Sequence, residues 1–239
     1  MTPAFILAVL VGIVQASEIY NVTSNSTTSL LFSLDQSENA IADFKQNINK
    51  INVEIIGESL CPDTTRFLKF QLAPVWEELG SSDYLNITYH PFGIPGKTEC
   101  LPTNDGDFTC RCQHGPLECL MNQLQACVIS ALPDFKDHFA TVLCMQGRRD
   151  MKKAIDDCII GDKTNVTIDP ERVEMCAMSS QGRRLMAEHG IRQSIVAPQA
   201  SWVPWIVVND RRERAAEYHF KYLLCNKFVE YGISHSSCI

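Results

Sequence analysis

The sequence lacks a concentrated run of basic residues. Its 239 residues carry 21 lysines and arginines against 28 aspartates and glutamates, which gives a formal net charge of −7 at pH 7. Domains that bind nucleic acid usually present a basic patch or stripe to the phosphate backbone. The charge balance therefore argues against nucleic acid as a partner. The length suits one large domain or one domain with an insertion.

The apolar run at the N-terminus is too short for a comfortable membrane span. Residues 1–16 contain no charged side chain, and Val14-Gln15-Ala16 has the small residues of a cleavage site. We therefore predict a signal peptide over residues 1–16 and no membrane segment after its removal. A signal peptide normally begins with Lys or Arg, and this one has neither. An uncleaved anchor is the alternative interpretation.

Cysteine is abundant, and its number is odd. Behind a signal peptide, eleven cysteines predict a framework of disulfides. At least one thiol must then be left over or pair between chains. If Cys61 is the free one, ten cysteines remain to form five structural disulfides: Cys100, Cys110, Cys112, Cys119, Cys127, Cys144, Cys158, Cys176, Cys225 and Cys238. The odd count is compatible with a redox role for Cys61 but does not identify it.

Four Asn-x-Ser/Thr sequences independently favour the secretory pathway, because this sequence is the acceptor for N-glycosylation. The predicted glycosylation sites are Asn21, Asn25, Asn86 and Asn165. Residues 17–50 begin with a stretch rich in serine, threonine and asparagine. We predict a polar, glycosylated N-terminal segment there, with a short helix near its end.

Residues 52–79 have the pattern of a buried strand, a cysteine and a helix. The strand is rich in β-branched residues and ends at Gly57, and apolar residues recur at helical spacing from Leu68 to Leu79. Proline is well suited to the first position of a helix, so Pro62 places Cys61 at the helix N-terminus. Free backbone N–H groups and the helix dipole favour a thiolate there.

The site lacks the second cysteine of a thioredoxin-type redox motif. Thr64 occupies that position, three residues after Cys61. Its hydroxyl group could hydrogen-bond a thiolate but cannot donate electrons. Asp63 carries a negative charge close to Cys61, and we expect it to oppose the thiolate if it is ionised.

The rest of the chain predicts an α/β (α+β) fold. Residues 84–90 alternate in polarity as in a half-exposed strand, which would complete a parallel β-α-β unit, and Pro74 should kink or split the helix between the strands. We expect residues 97–111 to form a loop. Helices are predicted from Pro116 and over about 134–146, 150–159 and 169–189. A strand over 205–208, a turn at Asn209-Asp210 and a helix over 218–231 complete the pattern.

Three separated motifs carry a family resemblance. The first is ESLCP at residues 58–62, and the second is CQHG-x-x-EC-x-x-N-x-x-x-x-C, which runs unbroken from Cys112 to Cys127. The third is Val203-Pro204-Trp205 before the late strand. Together they resemble the gamma-interferon-inducible lysosomal thiol reductase family over roughly residues 51–239. The resemblance implies a thioredoxin-like fold with a disulfide-stapled helical insertion at about 112–195, and reduction of protein disulfides at acidic pH in the endocytic pathway.

The resemblance also implies roles for two residues beside the late strand. Pro204 would be a cis-proline next to Cys61, and the exposed backbone of Val203 would pair with an extended substrate. An ordinary trans proline at the start of a strand is the alternative. His114 lies among cysteines, but their spacings fit no standard zinc pattern, so we expect neither a metal nor a cofactor. For Gln113, Gly115, Glu118 and Asn122 we expect a structural role in helix capping and in holding the insertion.

Three classes of function are compatible with these residues. The favoured one is a secreted or lysosomal thiol–disulfide oxidoreductase that attacks protein disulfides through Cys61 and needs an external thiol, since Thr64 cannot resolve the intermediate. The second is a catalytically inactive secreted glycoprotein on the same scaffold, with a binding role. The third is a disulfide-rich module unrelated to redox chemistry, which the strand-cysteine-helix pattern disfavours.

Overall fold

The computed structural model describes residues 50–80, 82–161 and 167–238. The predicted signal peptide, the polar N-terminal segment and the sequons at Asn21, Asn25 and Asn165 lie outside these residues. Within them, no helix is both long enough and apolar enough to cross a membrane.

A four-stranded sheet forms the centre of the fold, in the order β2-β1-β5-β6. Its strands are β1 (Ile51–Gly57), β2 (Leu85–Pro91), β5 (Trp205–Val208) and β6 (Arg211–Arg212). β1 pairs in parallel with β2 and antiparallel with β5, and β5 pairs antiparallel with β6. β5 and β6 are joined by Asn209 and Asp210, which both have positive φ, as a tight hairpin turn requires.

The connection from β1 to β2 is a helix in three parts. Helix α1 (Pro62–Phe67) passes into a π-helical turn (Leu68–Leu72) and then into α2 (Ala73–Leu79). Pro74 lies at the start of α2, where its missing N–H removes one bond of the regular ladder. The predicted split of this helix at Pro74 is therefore confirmed.

A helical layer is formed by the part of the chain that runs from residue 116 to residue 196, before β5. It consists of α3 (Pro116–Ala131), α4 (Phe135–Met145), α5 (Met151–Ile155) with a π turn (Asp156–Ile160), α6 (Pro170–Met178) and α7 (Ser180–Val196). Helix α8 (Ala216–Glu230) and a short 3-10 turn (Ser236–Cys238) follow the sheet. The Cys127–Cys176 disulfide joins α3 to α6, Cys144–Cys158 joins α4 to the π turn, and Cys225–Cys238 closes the C-terminal segment onto α8.

Three local expectations were wrong. Residues 97–111 form a hairpin rather than a loop, with β3 (Glu99–Pro102) antiparallel to β4 (Phe108–Arg111) and a disulfide between the paired Cys100 and Cys110. The helix expected over 169–189 is two helices. Ser179 has extended backbone and caps α7 by accepting a hydrogen bond from the amide of Gln181, and α7 continues to Val196.

The third error concerns β2, which is half-exposed only in its first half. Asn86 is exposed, but His90 is buried and contacts His189 of α7. Alternating polarity along a strand predicts that one face is buried and the other exposed. At the C-terminal end of β2 both faces are buried, because α7 packs against the face that was expected to be exposed.

Candidate active site

Cys61 lies at the end of β1 and caps α1. Its backbone is extended, with φ −70° and ψ 125°, and Pro62 follows at the first helical position. Its carbonyl accepts hydrogen bonds from the backbone N–H of Thr65 at 3.0 Å and from the Thr65 hydroxyl at 2.9 Å. Only 7% of the residue is exposed. All eleven cysteines are described, and Cys61 is the free one, because the other ten form five disulfides.

Burial raises the pKa of the Cys61 thiol above its ordinary value. Hydrogen bonds from the Thr64 amide and hydroxyl and from the Asp63 amide lower it, and the charge of Glu58 raises it further. The expected advantage of a helix N-terminus is therefore present but outweighed by desolvation. The carboxylate that opposes the thiolate is the buried Glu58 rather than Asp63, which is exposed and ion-paired with Arg66 at 3.0 Å.

Thr64 fills the position of the missing second cysteine. It is fully buried, and its Oγ1 accepts a hydrogen bond from the backbone N–H of Glu58 at 3.3 Å. Gly57 makes room for it, since a Cβ at that position would come within 2.6 Å of the Thr64 Cγ2. The side chain at position 64 is therefore packed directly between the end of β1 and Cys61.

The Val203–Pro204 peptide bond is cis. The carbonyl oxygen of Val203 lies 3.8 Å from the Cys61 Sγ and accepts a hydrogen bond from the thiol. Folding thus brings together Cys61, Thr64, Val203 and Pro204 from two distant parts of the chain. Val203 itself is buried, so substrate pairing through its backbone stays a prediction.

An aromatic and cationic cluster adjoins this loop, and no sequence pattern indicated it beyond the tryptophans themselves. The Arg212 guanidinium lies 4.3 Å from the Trp205 ring centre and 5.2 Å from that of Trp202. Arg214 lies 5.1 Å from the Trp202 ring centre. Such stacking holds the residues on either side of the cis-proline in place.

A second cluster beneath Cys61 consists of Glu58, Glu118 and His114. The Nδ1 of His114 lies 2.5 Å from the Glu118 Oε2 and 3.4 Å from the Glu58 Oε2. Both carboxylates are fully buried. From the sequence, His114 is considered as a zinc ligand and Glu118 as a structural residue, and Glu58 is named only as part of a motif. The signal that could have found them is that all three belong to ESLCP or to CQHG-x-x-EC.

The environment of Glu58 is unfavourable to a negative charge. Burial raises its pKa, the charge of Glu118 adds to the effect, and the charge of His114 partly offsets it, which leaves the pKa at about 7. The donor atoms of the three residues all lie within 4.8 Å of one another, close enough to share a proton or a small cation.

The motif residue Asn122 lies within α3 and does not cap a helix, but it holds the insertion to the rest of the fold, which is the other structural role expected of the motif. The Oδ1 of Asn122 accepts from the backbone N–H of Ser59 at 2.9 Å, and its Nδ2 donates to the carbonyl of Phe92 at 3.0 Å. Gly115 caps α3 through its backbone, with φ 88°. Helix α3 is thus bound directly to the loop that carries Cys61.

The comparisons with known proteins agree with this geometry. The family model "Gamma interferon inducible lysosomal thiol reductase (GILT)" matches residues 52–161. A GILT-like protein of Caenorhabditis briggsae is 40% identical, covering 77% of this chain and 82% of that protein. The gamma-interferon-inducible lysosomal thiol reductase of Mus musculus is 33% identical, covering 67% of this chain and 61% of that protein.

Two solved structures resemble the fold at low identity. Chlamydia trachomatis DsbA has a TM-score of 0.55 and 12% identity, covering 76% of this chain and 86% of that one. The reduced disulfide bond oxidoreductase DsbG of Mycobacterium tuberculosis has a TM-score of 0.51 and 12% identity, covering 79% and 81%. The thioredoxin-like α/β fold with helices is therefore confirmed.

Proposed function

Because the chain belongs to the gamma interferon inducible lysosomal thiol reductase family and so to the thiol–disulfide oxidoreductases, we propose that it reduces protein disulfides through Cys61 as a monothiol enzyme. One observation carries the proposal. Cys61 is unpaired at a helix N-terminus and faces the cis-proline loop, whereas each of the other ten cysteines is bound in a disulfide.

The reaction takes three thiol–disulfide exchanges. The Cys61 thiolate attacks one sulfur of a substrate disulfide, a Cys61–substrate disulfide forms, and the other substrate sulfur leaves as a thiolate and takes up a proton. Thr64 cannot attack this intermediate. The thiolate of a small thiol or of another protein attacks the Cys61 sulfur instead, which releases the second substrate sulfur as a thiol and leaves a disulfide between Cys61 and the reductant. A second equivalent of the reductant thiol then attacks the reductant sulfur of that disulfide, which regenerates the Cys61 thiol and forms the oxidised reductant disulfide. The hydroxyl of Thr64 supports the thiolate by a hydrogen bond.

The proposal includes a secreted or lysosomal location. Five disulfides favour an oxidising compartment, and the sequons and the N-terminal apolar run favour entry into the secretory pathway. Asn86, the sequon within the described residues, is exposed on β2, and its side chain donates to Asn52 at 2.9 Å. The proposed substrates are proteins with accessible disulfides.

The test restores the second cysteine. We expect wild-type protein to accumulate a mixed disulfide with a disulfide-containing protein at about pH 5 and to turn over only with added small thiol. Thr64→Cys should release the substrate by intramolecular attack, which leaves positions 61 and 64 joined by a disulfide that the added thiol reduces, so the trapped species should decrease and turnover at a fixed concentration of added thiol should rise by roughly tenfold or more. Mass spectrometry of the trapped species and a reduction assay measure these two effects.

Two variants serve as controls. Thr65→Cys introduces a cysteine one residue further on, outside the motif spacing, and should not release the mixed disulfide. Cys61→Ser should abolish both trapping and turnover. If wild-type protein forms no mixed disulfide and folded Thr64→Cys gains no activity, the proposal is wrong.

The second candidate function is a catalytically inactive glycoprotein that binds other proteins on this scaffold. The burial of Cys61 favours it, since a thiol that is 7% exposed and has a raised pKa is a poor nucleophile. Under this candidate an alkylating reagent should leave Cys61 unmodified in folded protein, while disulfide-containing proteins still bind to wild type and Cys61→Ser alike.

A further inference from the structure

The hydrogen bonds of Glu58 distinguish its two carboxyl oxygens. Its Oε1 accepts from the backbone N–H of Ile94 at 3.3 Å and from the Thr98 hydroxyl at 3.4 Å. Its Oε2 is buried and accepts no hydrogen bond from any described residue. A buried, ionised carboxylate normally has donors at both oxygens, because an unsatisfied charged atom is costly. The asymmetry leaves Oε2 as the oxygen that is free to carry the proton of a neutral carboxylic acid.

The neighbours of that oxygen form a path to solvent. Its nearest titratable group is the Nδ1 of His114, at 3.4 Å, which is itself hydrogen-bonded to Glu118 at 2.5 Å. Glu58 and Glu118 are fully buried, whereas 30% of the His114 side chain is exposed. His114 is thus the member of the cluster through which a proton can enter or leave.

The same loop connects the cluster to Cys61. The carbonyl of Glu58 accepts from the Cys61 amide at 3.3 Å, and the Glu58 amide donates to Thr64, whose hydroxyl also supports the thiol. Tyr89 of β2 faces the same space: a Cβ at Gly57 would lie 3.0 Å from its hydroxyl. The titratable groups around the thiol are therefore Glu58, Glu118, His114 and Tyr89, from three different elements.

We propose that Glu58, Glu118 and His114 form a proton-holding site whose charge state controls the Cys61 thiol and which exchanges its proton with solvent through His114. In acidic surroundings Glu58 is neutral and does not oppose the Cys61 thiolate. As the pH rises, Glu58 loses its proton through His114, and its charge makes the thiol harder to ionise. Under acidic conditions the site therefore adds no charge that opposes ionisation of the thiol, and burial alone raises its pKa. The inference rests on the proposed role of Cys61 as the attacking thiol.

The geometry favours a proton over a metal ion at this site. The lone pair that His114 Nδ1 would give to a metal is directed at Glu118, and the 2.5 Å separation indicates a charge-assisted hydrogen bond. A metal would have to displace this proton and separate the two side chains.

The experiment follows the Glu58 carboxyl group directly, in the intact protein, by nuclear magnetic resonance of isotope-labelled glutamate side chains. In wild-type protein we expect one carboxyl group to titrate at about pH 7, and Glu58→Gln should remove that signal. Glu118→Gln should move the transition to lower pH because a like charge is gone. His114→Gln should move it to higher pH because an opposite charge is gone. A purely structural role does not predict shifts in opposite directions.

The effect of Glu58 on the Cys61 thiol is measured by following the ultraviolet absorbance of the thiolate as the pH is raised. This measurement requires neither a substrate nor access of a reagent to the buried thiol. In Glu58→Gln the thiolate should form at lower pH, with its population at about pH 8 raised by roughly three- to tenfold. Glu54→Gln, the same change four residues earlier, is the matched control and should leave the titration unchanged.

The outcomes separate the two proposals. A Glu58 transition near its ordinary pH range, or a thiolate titration equal in wild type and Glu58→Gln, overturns the proton-holding site whatever the enzyme does. If added zinc abolishes the Glu58 transition and a chelator restores it, the site binds a metal rather than a proton, and the proposal of a proton-holding site is overturned. Failure of Cys61 to form mixed disulfides, with the carboxyl shifts as expected, overturns the proposed function alone.

Discussion

Glu54, in the middle of β1, and Glu58, one residue beyond its end, each lie beside a histidine, yet their environments shift the carboxyl pKa in opposite directions. Burial would raise the pKa of Glu54, but hydrogen bonds from His90 and Arg192, together with their charges, outweigh it and lower the pKa to about 2. Burial and the charge of Glu118 raise the pKa of Glu58 to about 7. The difference is the partner across each carboxylate: an arginine in one case, a second glutamate in the other.

The comparison shows that proximity to histidine does not decide the charge of a carboxylate that is buried or partly buried. Arg192 donates from Nε and Nη2 to both oxygens of Glu54, at 2.8 and 2.5 Å, which is the paired geometry that stabilises a carboxylate. Glu58 has only one distant amide and one hydroxyl as donors. The first site is suited to holding α7 against β1, and the second to holding a proton.

The largest expected effect is the pH dependence of stability due to Glu58. Its pKa is raised from 4.5 in the unfolded chain to about 7 in the folded protein. The linked stabilisation is therefore fully present below about pH 4.5 and is lost as the pH rises through about 7. Glu58→Gln should remove roughly 2–3 kcal/mol of pH-dependent change in the free energy of unfolding over this range. Urea denaturation of both proteins at several pH values measures it, and parallel curves would contradict it.

Removing the arginine should make the two glutamates more alike. Arg192→Met keeps an apolar stem but leaves the partly buried Glu54 without its bidentate partner, so we expect the free energy of unfolding to fall by roughly 1–2 kcal/mol at neutral pH, discounted because half of the Arg192 side chain is exposed. The loss should shrink on acidification, as Glu54 becomes protonated. Arg192→Lys should recover part of the stability. Equal destabilisation at all pH values would show that packing, not charge, is what Arg192 contributes.

The smallest effect is expected at Asp63, which is even closer to Cys61 in sequence. Its side chain is exposed and ion-paired with Arg66 in solvent. Asp63→Asn should change the free energy of unfolding by less than about 0.5 kcal/mol and the alkylation rate of Cys61 by less than about twofold. If Asp63→Asn changes the alkylation rate of Cys61 as much as Glu58→Gln does, the exposed charge of Asp63 affects the thiol and this prediction is wrong.

Much of the site could be predicted because its determinants are local. The strand pattern before Gly57 and the proline after Cys61 place the thiol at a helix start without reference to the rest of the chain. The family and the thioredoxin-like fold were also predicted correctly, from three motifs. The disulfide partners could not be predicted, since the pairing of Cys127 with Cys176 across 49 residues depends on how two helices pack.

The sequence by itself determined which chemistry is available at this site: a thiol at a helix N-terminus, a threonine where a second thiol would stand, and an odd number of cysteines. Only the tertiary structure decided the properties of that thiol. Burial raises its pKa, and the carboxylate that opposes it is Glu58, whose own charge depends on Glu118 sixty residues away. Local backbone preferences are set by neighbouring residues in the chain, whereas desolvation and charge coupling depend on distances in space, which only the folded chain establishes.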